Sequence, residues 1–249
     1  MNIRLEYPLY NADGSSFTLT RCNQICDVYD MTMKSANFIT SYRGIQELAT
    51  ENNIFGTIGF TQTASAIRTI FPILKKLGLI IAYDEVKEFK IYDFFTSKGK
   101  AFVLTHKALV KAQEIENKPL IHECEDAKSA ILRDGIKYMF DRGSYPEHNI
   151  WFALTYLKYQ KQIIWKEFLY MVYLYNKGYG LVEIEKQIQK NRDINIQYNY
   201  VSTDGAEIKS TSYSYLKALL TEAEIVKEYQ KGVSVTTYKG YDFLNQLNL

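Results

Sequence analysis

Carboxylates near a lysine are the first grouping in this chain that could do chemistry. A metal-dependent nuclease needs two or three carboxylates and a lysine converging on one ion. Its usual cue is Pro-Asp on one strand and an acid-x-lysine step on the next. Glu183 and Glu185 precede Lys186, but the apolar spacing around them is helical, and Asp84, Glu85 and Lys87 fall at the tip of a hairpin. The prolines are followed by Leu9, Ile73, Leu120 and Glu147, never by aspartate. Cysteine and histidine form the second grouping. Cys22-x-x-x-Cys26 and His122-x-Cys124 lie far apart in sequence, whereas a structural zinc site takes four ligands, usually in two close pairs. His106 and His148 have no serine or cysteine nucleophile signature beside them. Gly56-Thr57-Ile58-Gly59 is too short for either glycine-rich phosphate motif. These residues predict no catalytic centre, no metal and no cofactor.

The other polar groups of interest stand at helix starts. Small hydroxyl and amide side chains there can hydrogen-bond phosphates or base edges. Bulk charge does not decide the matter, because 30 basic residues face 28 acidic ones for a net charge of +2. That balance argues against a purely nonspecific nucleic-acid binder, whose affinity comes mainly from phosphate neutralisation. An apolar share of 47% is enough for a folded core. Three cysteines and a charged N-terminus predict a reducing, cytoplasmic setting. The most apolar window, 67–82, holds Arg68, Lys75 and Lys76 and is too short and too charged to span a bilayer. The 21 tyrosines suit an interaction surface, with apolar bodies and polar tips, or simply reflect an AT-rich genome.

Residues 1–35 read as an arm or partial strand region, with a turn at 11–15. A short amphipathic helix is predicted over 41–52. A second covers 61–77, where Ile67, Ile70, Phe71, Leu74 and Leu77 repeat at helical spacing, with Pro72 as a kink or early break and Gly78 as the stop. Strands follow at 79–83 and 89–95 around a charged tip, and then another helix. That order, helix–turn–helix–strand–tip–strand–helix, is the winged-helix order. Residues 103–147 read as helical and connective, and 144–148 give the best boundary signal. Beyond it, helices are predicted at 151–159, 165–176, 181–192 and 211–227, a polar loop or irregular hairpin at 192–206, and a hairpin around 229–232.

The two halves share a pattern, T-x-K-G-x-x-F, at Thr96–Phe102 and Thr237–Phe243. In each, threonine can end a strand and cap the coming helix, glycine lets the chain reverse, and phenylalanine returns to the core. The pattern predicts a mainly α fold with small β-hairpins (α+β) and two tandem winged-helix domains. The first is 1–147, with its arm and connecting helices, and the second is 148–249. The alternative is two unrelated helix–hairpin–helix segments.

The run His148–Lys158, Trp165-Lys166-Glu167-Phe168 and Ile184-x-x-x-Ile188-x-x-x-Arg192 resembles the DNA-recognition regions of Type II and IIS restriction endonucleases. Ser65–Ile80 is similar to the helix of that family that ends in a glycine-apolar step. The resemblance spans roughly 41–249. It implies winged-helix subdomains, double-stranded DNA as partner, and cleavage supplied by a separate or downstream nuclease domain. It also admits a phage or plasmid transcriptional regulator or replication initiator on the same fold.

A winged helix places its second motif helix in the major groove and its hairpin against the backbone. The expected DNA contacts in the first unit are Thr61, Gln62, Thr63 and Ser65 at the helix tip, with Arg68 one turn on. Arg68 is either a base reader, a phosphate contact or a salt-bridge partner of Glu47. Lys75, Lys76, Lys87 and Arg43 are phosphate candidates. In the second unit they are Lys209, Ser210, Thr211, Ser212 and Tyr213 at the helix start, Lys217 further along, and Lys231 in the wing.

Overall fold

The computed structural model describes residues 2–4, 17–35, 38–39, 41–55, 59–83, 87–141, 149–201, 205–207, 211–247 and 249; for 2, 4, 19, 38, 39, 59–66, 69, 149, 211 and 212 it describes the backbone alone. In chain order the elements are β1 (Asn2–Arg4), α1 (Leu19–Met33), β2 (Phe38–Ile39), α2 (Tyr42–Glu51), α3 (Gly59–Lys76), β3 (Phe89–Lys90), α4 (Ser97–Glu114), α5 (Lys118–Asp141), α6 (Asn149–Gln160), β4 (Gln162–Ile164), α7 (Trp165–Asn176), α8 (Leu181–Asp193), β5 (Asn199–Val201), α9 (Thr211–Glu222), β6 (Val226–Gln230), β7 (Val233–Thr236) and α10 (Tyr238–Gln246). The fold is mainly helical with two small antiparallel sheets and one parallel strand pair, an α+β arrangement.

The chain divides into two compact units, Gly14–Ser144 and Tyr145–Leu249 joined by Met1–Asp13. The division falls three residues before the expected one. It also moves the N-terminal arm out of the first unit, because β1 pairs in parallel with β5. A second correction concerns the rest of that region, which is the helix α1. Thr18 caps it by accepting a hydrogen bond from the Arg21 N–H, and its buried face carries Cys22, Ile25, Cys26, Val28, Met31 and Thr32.

In the unit 14–144, α1, β2, α2 and α3 are followed by a return through β3 and then by the helical hairpin α4–α5. β2 pairs antiparallel with β3, and a bridge joins Ile80 to Phe95. The expected strand pair is therefore shorter than its composition suggests, since 91–93 form a 3-10 turn. Ile45, Ile67, Ile70, Phe71, Leu74, Phe94 and Phe102 fill the core. Phe94 lies against Phe71 at 5.1 Å and against Phe89 at 6.0 Å between ring centroids. Helix α3 continues through Pro72 to Lys76.

In the other unit, α6, β4 and α7 lead through α8 and β5 to α9, then to the hairpin β6–β7 and to α10. The sheet order is β4–β7–β6, all antiparallel. Helix α9 stops at Glu222, short of the expected 227. The indole N–H of buried Trp165 donates to the Ser234 hydroxyl at 2.8 Å. Much of the tyrosine is structural here: the Tyr200 phenol donates to the Lys166 carbonyl, accepts from the Tyr170 N–H and stacks on Tyr198.

The T-x-K-G-x-x-F segments have the same geometry in both units. Helix α3 ends with Gly78 at φ 68°, and α9 ends with Glu224 at φ 52°. The following residue closes the helix end in each case, the Leu79 N–H to the Leu74 carbonyl and the Ile225 N–H to the Leu220 carbonyl. Thr96 donates its hydroxyl to the Gly78 carbonyl and its N–H to that of Leu79. Thr237 does the same with Glu224 and Ile225. Each threonine oxygen then accepts from the N–H three residues on, that of Gly99 or Gly240. Phe102 and Phe243 are both buried. Each lysine pairs with an acid, Lys98 with Asp134 and Lys239 with Glu224. The threonine stands 18 residues beyond its left-handed partner in one unit and 13 in the other, so the first hairpin is longer by the difference of five.

A Cβ at Gly99 would stand 1.8 Å from the Leu79 carbonyl oxygen, and one at Gly240 would stand 2.0 Å from that of Ile225. Backbone on backbone cannot yield cheaply. Gly99→Ala and Gly240→Ala are each expected to cost at least ~3 kcal/mol in urea denaturation. Gly232→Ala, with open space around it, pays only for its left-handed backbone, about 1 kcal/mol.

Candidate nucleic-acid interface

Helix α3 holds three cations, Arg68, Lys75 and Lys76, and no carboxylate anywhere along its 18 residues. Its first turn has no acid to compete for the positive end of the helix dipole. The backbone places Thr61, Gln62, Thr63 and Ser65 within its first two turns, and their side chains lie outside the described residues. Helical register puts 61, 65 and 68 on one row, at spacings of four and three. Position 63 falls on the row of buried Ile67 and Ile70 instead. Arg68 is exposed, one position past buried Ile67. Lys75 is half-buried with its ammonium 5.4 Å from the centre of the Tyr83 ring. Lys76 is also half-buried, Arg43 is exposed on the first turn of α2, and Lys87 is exposed before β3. Of the expected contacts in this unit, Arg43, Arg68 and Lys87 therefore reach solvent.

The other unit differs in charge. Lys209 and Ser210 lie outside the described residues, as do the side chains of Thr211 and Ser212, the first two positions of α9. Position 212 is in register with buried Leu216 and Leu219. Tyr213 is half-buried and stacked on Trp165, with centroids 5.6 Å apart and rings 16° from parallel. Burial raises its phenol pKa. Its ring is thus committed to packing, contrary to the expected contact. Lys217 donates to a Glu228 carboxylate oxygen at 2.8 Å, and the same oxygen accepts from the Gly232 N–H. Lys217 holds that carboxyl below the usual carboxylate range and ties the hairpin to α9, a structural use of a residue expected to meet DNA. Lys231 is exposed at the hairpin turn, beside Gly232 at φ 81°.

The motif at 181–192 carries packing and a clamp. Ile184 and Ile188 are fully buried. Arg192 grips Glu167 with two hydrogen bonds of 2.7 and 3.1 Å, from α8 to α7. Glu167 is 2% exposed, and Arg192 also faces Glu185, which accepts from the Tyr156 phenol. Sequence spacing gave no sign of this pairing, because its members are 25 residues apart and on different helices.

Of the groups first considered for chemistry, Asp84, Glu85 and His148 lie outside the described residues. Among the described residues no three of histidine, cysteine, aspartate or glutamate gather where a metal could sit. Cys22, Cys26 and Cys124 are buried free thiols, and burial pushes the Cys26 thiol up to about 12. No described helix is long and apolar enough to cross a membrane. Comparison with protein-family models, curated proteins and solved structures finds no match to this chain.

His106 is 1% exposed, with its Nε2 2.8 Å from the Asn23 amide oxygen. Burial, with Lys128 nearby, lowers its pKa from 6.5 to about 4. The folded pKa lies below the unfolded one. Between pH 6.5 and 4 the unfolded chain therefore takes up a proton that the folded chain refuses, and stability falls. Chemical denaturation at pH 7 and pH 4.5 should show wild type losing about 2 kcal/mol more than His106→Gln over that interval.

Proposed function

We propose that the chain recognises duplex DNA by sequence, through two winged-helix units, with α3 as the main reading helix. The carrying observation is α3 itself: an 18-residue helix with three cations, no acid, and an exposed arginine in its middle. The element order supports the reading. Each unit runs helix, strand, helix, a further helix, hairpin, helix, with α8 and β5 inserted before α9 in the second. In the sheet β4–β7–β6, the strand after the hairpin turn pairs with both neighbours. This is the order in which a winged helix sets its third helix beside its wing.

In this reading the unit 14–144 reads bases and the other positions the chain. Arg68 is the base reader, suited to the O6 and N7 acceptors of guanine. Lys231 at one wing and Lys87 at the other meet phosphates. The charge on α9 is committed to Glu228, which leaves that unit with hydroxyls and its wing. The resemblance of 148–192 to restriction-endonuclease recognition regions extends the proposal: the chain supplies recognition, and cutting lies with a nuclease carried on another domain or subunit. A second reading, a regulator or replication initiator that binds as a pair of copies, is favoured by the outer face of α4 described below.

Selection from a random-sequence duplex pool tests the proposal. Wild type is expected to enrich one motif. Arg68→Ala should relax preference at one base pair, at a cost of about 1–3 kcal/mol. Lys231→Ala should weaken all sequences alike and lower the salt slope by about one. A pool that stays random would mean that these units serve protein contacts instead.

A further inference from the structure

The outward face of α4 carries a row unrelated to DNA. Ala101, Leu104, Ala108 and Lys111 on the helix, and Ile115 capping its end, are all exposed, and they follow one another at spacings of three, four, three and four. Leu104 is 58% exposed and Ile115 is 62% exposed. The opposite face, with Phe102, Val103, His106 and Leu109, is buried within the unit. A three-four alternation of this kind is the seam of a two-helix coiled coil. Small Ala101 and Ala108 stand on either side of large Leu104, so the middle of the seam can meet a copy of itself run in the opposite direction.

We propose that two copies of the chain associate through α4, antiparallel about a two-fold axis. The register follows from the row. Leu104 of one copy lies against Ala108 of the other, and Ala108 against Leu104. Ala101 faces the aliphatic stem of Lys111, whose ammonium reaches to the rim. Ile115 closes each end over Ser97 of the other copy. An interface of this kind is isologous: each contact occurs twice.

Charge selects the occupant. On the flank of the row stand Lys100, Lys107 and Glu114, seven residues apart. In the antiparallel register Lys100 faces Glu114 of the other copy, and symmetry makes two such pairs. Lys107 faces its own counterpart near the axis, but its charge is already met by Asp30, 2.5 Å away. A parallel pairing would turn Lys100 and Lys107 toward Thr105 and Ala112 of the other copy and form neither ion pair. A seam of about four turns is small beside a standard interface, so association is concentration-dependent.

Sedimentation equilibrium on the full chain, without DNA, tests this independently of the function proposed above. At ~100 μM and above, the mass should rise from 29.0 kDa toward twice that value. Leu104→Glu should remain a single chain with its helical signal intact. Lys100→Glu or Glu114→Lys alone should weaken association at least tenfold, and the two together should restore it to within about threefold. A single-chain mass at every concentration overturns the proposal. So does association that none of these changes weakens, or a charge-reversed pair that fails to recover.

Discussion

One crossing governs both units: a threonine hydroxyl and a glycine α-carbon seated on the two peptide carbonyls just past α3 or α9. The helix end turns left-handed, which aims its last carbonyls away from the helix axis. Thr96 or Thr237 satisfies them, and the missing side chain of Gly99 or Gly240 lets the next helix start in van der Waals contact with that backbone. The two ends of the intervening hairpin are thereby pinned together. Whatever its length, the hairpin has to fold out and back to the end of α3 or α9. Its return to the end of α3 or α9 is thus a consequence of closure.

The units diverge where this constraint does not apply. Between its second and third helices, the unit 14–144 has only a short connection. The other unit inserts α8 and β5 there. A buried carboxylate is costly unless it is paired and hydrogen-bonded, and the two bonds from Arg192 to Glu167 meet that need while locking α8 to α7. Charge diverges as well. The same helical position carries Arg68 in one unit and Ser214 in the other, counted back from the left-handed residue that ends each helix. Helix α3 is cationic, and α9 has its single lysine paired with the hairpin. The proposed division of labour rests on that difference.

Local chemistry made part of this legible. The third helix of the first unit shows in the spacing of Ile67, Ile70, Phe71 and Leu74, and in the Gly78 stop. The T-x-K-G-x-x-F pattern shows the crossing, because each of its residues has one local task. The end of α9 was not legible, since Glu224 takes the left-handed turn without the glycine that would mark it. Helix α1 hides because its inner face, Ile25 apart, is built from Cys22, Cys26, Val28, Met31 and Thr32. The arm reads as an arm, but β5, its parallel partner, is nearly 200 residues away. The committed states of Tyr213 and Lys217 depend on Trp165 and Glu228, and no local pattern announces either. The α4 row was present in the sequence as a three-four spacing and becomes informative only once the opposite face is known to be buried.

The central claim is that the outer faces of α3 and α9 lie against a double helix. Photo-crosslinking reads that contact directly, with a photoreactive phenylalanine placed in turn at Arg68, Tyr215 and Glu123 and a random-sequence duplex at low salt. The account predicts DNA adducts from the first two positions and none from the third, which lies on α5. Adducts from Glu123 alone, or from none of the three, would contradict it.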